Sequence, residues 1–265
     1  MSFMADSISA LLDCAEMIYW FDNVVNVRIA IVSDIHGNHT AFEAVLADLR
    51  QTSPDLILHG GDLAHGGASP VAIVDQIRDL GWPGVLGNTD EMLFNPESFK
   101  EFASQLPKLQ ALWSAIEEMA ISTREALGTE RLAWLRGLPC SQLHAPLALV
   151  HASPGDLWRA PAPEAMDAEL ESAYSSLGQP LAIYAHIHRS YVRKLSKITV
   201  ANTGSVSLSY DGDRRAAYLL LDDLTPSIRR VEYDLDRELK ALSICGLPHT
   251  DWIAKILLSA TPQMP

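Results

Sequence analysis

Seven side chains that can bind divalent metals follow short apolar runs of strand length in this sequence. They are Asp34, His36, Asp62, Asn88, His151, His186 and His188. All of them carry oxygen or imidazole nitrogen donors, and none carries sulfur. Because ligands of an α/β protein gather beyond the carboxyl ends of its strands, we expect these side chains to lie along one rim.

Mixed oxygen and nitrogen donors, with one carboxylate able to bridge, are the ligand set that a two-metal hydrolase needs. A single D-x-H or H-x-H triplet is a weak signal, since a histidine after a strand is more often a structural residue. The alternative interpretation is that all seven residues are independent loop caps. Five successive strand ends each offer a metal donor, and this regularity favours the metal site.

Strands and helices alternate from residue 28 onwards. The segments "RIAIVSD" and "DLILHGGD" contain aliphatic runs, and each leads into a segment with apolar residues at helical spacing. "PGVLGNTD", "PLALVHASPGD" and "LAIYAHIHRS" are interpreted as three further strands. Residues 191–235 contain short β-rich runs that predict antiparallel strands, and the chain closes with two short helices. The pattern predicts one α/β domain over residues 28–265.

Two segments are predicted to be helical additions to this domain. Residues 97–139 have helical spacing throughout, with Pro107 separating the first helix from the second and a third beginning near Thr129. Residues 1–27 carry apolar side chains at i, i+3, i+4 and i+7 positions, which predicts an N-terminal helical extension.

Composition limits the classes of partner. The chain has 265 residues and a net charge of −13, which disfavours extended duplex nucleic acid because the protein repels a polyphosphate backbone. Three widely spaced cysteines suit a reducing compartment and exclude a cysteine zinc motif. No secretory signal or membrane span is visible, so we predict a cytoplasmic protein without membrane contact. The sequence leaves open whether the protein forms a homo-oligomer.

Five motifs occur in an order that is typical of one family. They are "DIHGN" (34–38), "GGD" (60–62), "GNTD" (87–90), "VHASP" (150–154) and "AHIH" (185–188). In this set the sequence resembles the calcineurin-like metallophosphoesterases. "NTGSVSLSYDGDRRAAYLLLD" (202–222) is similar to segments of the bacterial branch that includes the YfcE-like phosphodiesterases.

The resemblance implies a fold and a ligand set. The fold is a four-layer α/β sandwich, in which two mixed β-sheets are flanked by helices. One metal would be held by Asp34, His36, Asp62 and His188, and the second by Asp62, Asn88, His151 and His186. The ions, Mn, Fe, Ni or Zn, would activate a bridging hydroxide that attacks a small phosphate ester. Among these four ions, manganese is the one that we expect the site to bind.

Thr89 is the main departure from the family pattern. Most members have a histidine at this position, where it is the expected general acid for the leaving oxygen. Threonine is a poor proton donor near neutral pH, so its presence favours phosphodiesters or other esters with stabilised leaving groups. Ala185 stands where the family usually has glycine, and we expect its methyl group to be tolerated.

Further polar residues are candidate contacts of the same site. We predict a catalytic role for Asp62, Asn88 and Asp90, of which Asp90 fixes the loop after Asn88. His65 is predicted to contact the substrate and His39 could lie at the same mouth. Arg189 is predicted to contact a phosphate, with a surface carboxylate as the alternative partner.

Two other functions stay open at this point. A metal-bearing interaction or regulatory protein with little catalysis would explain Thr89, but it would not require the complete ligand set. A nuclease for single-stranded nucleic acid is disfavoured by the acidic balance and by the lack of a basic, aromatic-rich stripe.

Overall fold

Two mixed β-sheets form the centre of the protein. The computed structural model describes residues 27–265. Its strands are β1 (Arg28–Val32), β2 (Leu56–His59), β3 (Ser141–His144), β4 (Leu147–Val150), β5 (Leu181–Tyr184), β6 (Tyr191–Lys194), β7 (Thr199–Asn202), β8 (Ala216–Asp222) and β9 (Thr225–Val231). One sheet has the order β2-β1-β8-β9, and the other has the order β3-β4-β5-β7-β6. Each sheet contains both parallel and antiparallel pairs.

The alternation of side chains along β1 explains how the layers form. Ile29 and Ile31 face the second sheet, where they pack in one apolar cluster with Leu149 and Ile183. The side chains of Ala30 and of the last residue of β1 point the opposite way and pack in a second apolar cluster with residues of the helices. Because successive side chains of a strand point to opposite faces, both faces of the sheet are buried.

Helices cover the outer faces of both sheets. They are α1 (His39–Thr52), α2 (Pro70–Leu80), α3 (Asn88–Phe94), α4 (Pro96–Ser104), α5 (Gln110–Arg136), α6 (Asp167–Tyr174), α7 (Leu235–Ile244) and α8 (Thr250–Ser259). Helices α1, α2 and α5 pack on the first sheet, and α6 packs on the second. The predicted four-layer sandwich of two mixed sheets flanked by helices is therefore confirmed.

The helical segment after α3 matches its sequence pattern in detail. A short 3₁₀ turn at Pro107–Leu109 separates α4 from α5. Inside α5 the backbone of Gly128 leaves the helical region, with φ 66° and ψ 177°, so a new helical run begins at the predicted Thr129. The N-terminal half of α5 packs against α7 and α8 through Met119, Leu242 and Ile253.

Two local expectations need correction or fall outside the described part. The predicted third strand at residues 83–90 is wrong, because only Gly84 forms a bridge, to His59. The backbone then turns away, and the Leu86 N–H donates to the Pro139 carbonyl instead of extending the ladder. The N-terminal helix predicted for residues 1–27 lies outside the described residues apart from Val27. Within residues 27–265, none of the helices has the length and apolar character needed to cross a bilayer.

Replacing Ile31 by alanine tests the contact between the sheets. Ile31 is fully buried, so we expect Ile31→Ala to lower the free energy of unfolding by about 2–5 kcal/mol. Ile244, which is 76% exposed on α7, provides the matched control, since Ile244→Ala should change stability by less than about 0.5 kcal/mol. Urea unfolding measures both. Equal effects of the two substitutions would contradict the inner position of Ile31.

His59 is a buried histidine at the end of β2. Neither of its ring nitrogens has a hydrogen-bond partner among the described residues, and burial lowers its pKa to about 4. A Cβ atom on Gly84 would lie 2.2 Å from Cδ2 of this ring, so only glycine fits there. The folded protein therefore holds a neutral imidazole that the unfolded chain would protonate below pH 6.5.

This difference predicts a pH dependence of stability. Since the folded pKa of His59 is depressed, its contribution is present above about pH 6.5 and is lost as the pH falls towards 4, at roughly 1.4 kcal/mol per pH unit. His59→Asn removes the titrating group, so the variant's stability should fall less steeply than the parent's between pH 6.5 and 5. Urea unfolding at several pH values measures the two slopes. Coincident slopes would contradict the assignment, whatever the absolute stabilities.

Candidate metal centre

Loops from both sheets meet at one place. The ends of β1 and β2 supply Asp34, His36 and Asp62, and the ends of β4 and β5 in the other sheet supply three histidines. Backbone hydrogen bonds join the loops within each sheet, as from the Asp34 N–H to the Gly61 carbonyl at 3.0 Å. The single rim expected from the strand pattern is thus built from two sheets.

Asp34, His36, Asp62 and His188 form the first cluster. All four are buried, and one ligand atom from each lies within 4.8 Å of the others. The His188 Nε2 lies 3.2 Å from Asp34 Oδ1, and the His36 Nε2 lies 3.7 Å from Asp62 Oδ2. Two carboxylates and two imidazoles in a buried cluster form a suitable site for a divalent cation.

A second cluster surrounds the side-chain oxygen of Asn88. Asn88 Oδ1 lies 2.8 Å from His151 Nε2 and 2.9 Å from His186 Nδ1. The other carboxylate oxygen of Asp62, Oδ1, lies 3.5 Å from the same His151 Nε2. Asp62 therefore faces the first cluster with one oxygen and the second cluster with the other.

Backbone carbonyls fix the orientation of three histidine rings. The Nδ1 atoms of His36, His151 and His188 lie 2.7, 2.7 and 2.6 Å from the carbonyl oxygens of residues 65, 60 and 208. A carbonyl can only accept, so each Nδ1 carries a hydrogen, and the inward-facing Nε2 of each ring offers a lone pair to a metal whenever it carries no proton. A metal-binding histidine is held in the same way.

The inward lone pairs provide the test of whether a cation fits. The Nε2 atoms of His36 and His188 are 3.1 Å apart, and without a proton or a cation between them both are acceptors. Burial alone would lower the pKa of His188, but Asp34 raises it above its usual value, so positive charge is favoured at this place. Two acceptors at this distance repel each other unless positive charge lies beside them. The same holds for His151 Nε2 opposite Asn88 Oδ1. The residues present therefore fit a bound metal better than a network of hydrogen bonds.

Burial and charge set the protonation states that metal binding requires. Burial alone would raise the pKa of Asp34, but His188 and the other nearby histidines lower it to about 2. Burial, together with His151, lowers the pKa of His186 to about 4. At neutral pH the Asp34 carboxylate is therefore ionised and the His186 imidazole is neutral, which are the forms that coordinate metals.

The backbone is strained at these residues. Asp34, His36, Asp62, His186 and His188 all have positive φ, between 48° and 68°. Non-glycine residues rarely adopt this left-handed region, at a cost of about 1–3 kcal/mol each, although Asp and His tolerate it better than most. Such turns aim consecutive side chains at a common point, and the surrounding fold must supply the stability that they cost.

Gly87 lets the Asn88 loop approach Asp62. A Cβ atom on Gly87 would lie 2.0 Å from Asp62 Oδ1, so a side chain cannot be accommodated there. Two residues later, the Thr89 N–H donates to the same oxygen at 2.9 Å. The loop therefore positions the Asp62 carboxylate as well as presenting Asn88.

Thr89 and Asp90 have different surroundings. Thr89 lines the pocket beside the clusters, and its hydroxyl is buried and has no hydrogen-bond partner within residues 27–265. Asp90 points away from the pocket and accepts from the Leu63 N–H at 3.0 Å, which ties the Asn88 loop to the Asp62 loop. This contact suits the loop-fixing role, and a catalytic role for Asp90 stays a prediction.

His65 and Arg189, the two predicted substrate contacts, have different surroundings. His65 is buried, lines the pocket, and has its Nε2 atom 3.2 Å from the Ile116 carbonyl oxygen. Arg189 lies outside the pocket lining, where it donates to Glu164 at 3.2 Å and to the Tyr210 carbonyl. The carboxylate alternative considered for Arg189 is thus present, and its phosphate contact stays a prediction. His39 pairs with Glu43 on the surface of α1.

Several pocket residues were missed in the sequence. The clusters open into a pocket of about 170 Å³ whose far side is lined by Ile116 of α5 and by Trp252, Ile253 and Ile256 of α8. Tyr210 stacks on His188, with ring centroids 4.7 Å apart. The apolar stripe of α8 predicts a packed helix, but one of its packing partners is the distant helix α5, and no local pattern reveals this contact.

Comparisons with known proteins agree with this geometry. Residues 27–224 match the family model of the calcineurin-like phosphoesterase superfamily domain. An uncharacterized protein of Methanocaldococcus jannaschii is 28% identical over 255 residues, which cover 88% of this chain and 98% of that protein.

Two solved structures share the fold. A metallophosphoesterase from Sphaerobacter thermophilus matches with a TM-score of 0.71 at 24% identity, and a hypothetical protein from Pyrococcus horikoshii matches with 0.76 at 18% identity. Each match covers 89% of this chain and the whole of the other chain.

Asp62→Asn tests the shared carboxylate. An amide keeps the shape but presents one neutral oxygen, so we expect metal affinity to fall by about 10–100-fold or more, and turnover to fall with it. Elemental analysis of the purified variant measures the metal content. Asp222→Asn, at an exposed carboxylate far along β8, is the control and should bind metal as the parent does. Unchanged stoichiometry in Asp62→Asn would contradict the assignment.

Proposed function

Because the chain belongs to the calcineurin-like phosphoesterase superfamily, we propose that it hydrolyses small phosphate esters with two divalent metal ions. Asp34, His36, Asp62 and His188 would hold one ion. Asp62, Asn88, His151 and His186 would hold the other. The observation that supports this most directly is the position of Asp62, whose two oxygens face the two clusters separately.

A pair of divalent ions supplies an activated water near neutral pH and neutralises charge on the phosphoryl oxygens. The protein's own residues prepare the site for this chemistry. The Thr89 N–H and the Gly87 backbone position Asp62, and the carbonyls of His65, Gly60 and Leu208 orient three imidazoles. Since these contacts exist before substrate binds, the site needs little reorganisation during the reaction.

Nitrogen and oxygen donors without sulfur suit Mn, Fe, Ni or Zn, and metal availability often decides among them. We propose manganese as the first ion to test. A phosphate ester carries negative charge, and the protein has a net charge of −13. The bound cations would therefore provide the local positive charge that attracts the substrate.

The surroundings of Thr89 bear on the class of ester. Thr89 lines the pocket at the position where a general acid is expected, and a threonine hydroxyl is too weak an acid to give up its proton near neutral pH. His65, the nearby pocket histidine, has its Nε2 atom directed at the Ile116 carbonyl. We therefore propose that diesters with stabilised leaving groups are preferred to alkyl monoesters.

A panel assay tests the proposed function. The purified chain would be loaded separately with Mn²⁺, Fe²⁺, Ni²⁺ and Zn²⁺ and given aryl and alkyl phosphate mono- and diesters. We expect hydrolysis that Asp62→Asn abolishes, with diesters turned over faster. Full metal loading without hydrolysis of any ester would contradict the proposal and favour a metal-bearing interaction protein. Cytoplasmic localisation and a homo-oligomeric state stay predictions.

Thr89→His tests the missing proton donor. A histidine here should raise the rate on alkyl esters by roughly 10²–10⁴-fold, the usual contribution of a general acid, and should raise the rate on aryl esters much less. Thr89→Asn, which has similar size but no titrating group, is the control and should raise neither. Steady-state kinetics on matched alkyl and aryl esters measure the difference. An equal gain on both classes would exclude this explanation of Thr89.

A further inference from the structure

The pocket beside the metal clusters has one polar side and one apolar side. The polar side consists of His65, Thr89 and five of the candidate metal ligands, which are His36, Asp62, Asn88, His186 and His188. The apolar side, here called the apolar wall, consists of Ile116, Leu208, the Tyr210 ring, Trp252, Ile253 and Ile256. Leu208, Trp252, Ile253 and Ile256 are at least nine-tenths buried, so the wall is part of the packed interior.

The apolar wall comes from parts of the chain that carry no metal ligand. Ile116 belongs to α5, and Trp252, Ile253 and Ile256 belong to α8, which lies beyond residues 27–224 of the family domain. Helix α8 is held in place by its packing with α7 and α5 and by the Trp252 Nε1–H, which donates to the Gln263 carbonyl at 2.8 Å. The wall is therefore a fixed feature of this chain.

Charge in the pocket restricts the substrate. None of the described residues that line it is lysine or arginine. A nucleoside polyphosphate or a sugar bisphosphate carries further anionic groups, which would have to leave water without a cationic partner at a cost of several kcal/mol per ion. The part of the substrate that the pocket encloses beyond the reacting phosphate must therefore be uncharged.

Volume gives a second restriction. The pocket measures about 170 Å³, whereas typical ligand pockets measure about 300–1,000 Å³. An apolar cavity of about 150 Å³ holds one benzene molecule. Part of this volume belongs to the phosphoryl group, because metal ligands line the same pocket. One small ring or short alkyl group is therefore the most that the pocket can enclose against the wall, and a second ester group of a diester would extend out of the mouth.

The buried Thr89 hydroxyl leads independently to the same kind of group. A site without a general acid works best on a leaving oxygen that is stable as an anion, and an aryl oxide is more stable than an alkoxide. An aryl group also matches the wall in shape and polarity. Two unrelated features of the pocket thus favour one chemical class.

We propose that α8 and Ile116 select phosphate esters whose organic group is small, uncharged and apolar, with an aryl group preferred. This selection rests on the proposed function, since it assumes that the metal clusters bind the phosphoryl group. The wall lowers the free energy of the bound ester by removing its apolar surface from water.

Two phosphonates that are not hydrolysed separate the wall from the metals. Phenylphosphonate and methylphosphonate have the same metal-binding head and differ in the ring. We expect the Mn²⁺-loaded protein to bind phenylphosphonate about 10–100-fold more tightly, as measured by isothermal titration calorimetry. Ile253→Ala should reduce this preference by roughly fivefold or more while the affinity for methylphosphonate stays the same.

Leu257→Ala is the matched control. Leu257 is as buried as Ile253, lies on the same helix and packs in the same cluster, but it does not line the pocket. It should lose comparable stability and keep the full preference for phenylphosphonate. Ile116→Ala repeats the test from α5, so the proposal stays testable if one α8 variant does not fold.

The outcomes are distinguishable. Equal binding of the two phosphonates, or a preference that Ile253→Ala and Ile116→Ala leave intact, would overturn the role of the wall while leaving the proposed metal function standing. Failure of the metal-loaded protein to bind either phosphonate would overturn the proposed function, and the selection with it.

Discussion

The Asp62 carboxylate sits where the loops of the two sheets meet, and the arrangement of the site depends on it. One oxygen faces His36 and the other faces His151, so the same side chain has to be placed correctly with respect to ligands from different sheets. Its own backbone is in the left-handed region, Gly87 has no side chain to obstruct it, and the Thr89 N–H fixes one oxygen. A buried carboxylate so confined is stable only when positive charge compensates it.

The stability needed for this arrangement comes from elsewhere in the fold. Five strained residues and several inward-facing lone pairs are unfavourable in the absence of a cation. The apolar contact between the sheets, through residues such as Ile31 and Ile183, is remote from the strained loops and stabilises them indirectly. Rigid strands also keep the candidate ligands in place, because four of the five loops that carry them begin at a strand end that is hydrogen-bonded within its sheet.

The sequence predicts this protein well where the signal is local. Strand ends that carry Asp34, His151 or His186 follow uninterrupted aliphatic runs, and Pro107 and Gly128 interrupt the helical spacing where the structure does. The strand predicted at residues 83–90 is wrong for a physical reason. Val85 and Leu86 are apolar, as strand residues are, but the segment pairs with β2 through only one bridge, and the Leu86 N–H donates to a carbonyl outside that strand.

Features that depend on contacts between distant parts of the chain could not be predicted from local sequence patterns. The resemblance to a known family supplied the pairing of ligands into two clusters, which no spacing rule gives. The individual residues of the apolar side could not be named from the sequence, because Ile116 and Ile253 come together only through the packing of α5 against α8. A stripe of apolar residues on a helix indicates that one face is buried, and the identity of the opposing surface depends on the whole fold.

The location of α8 has an evolutionary consequence. The candidate metal ligands lie between residues 34 and 188, whereas three residues of the apolar wall are on α8, near the C-terminus. Exchange or redesign of this last helix could change which compounds a relative accepts while every metal motif stayed intact. Relatives with identical motifs can therefore diverge in substrate, and comparison of their terminal helices would be more informative about that divergence than comparison of their metal ligands.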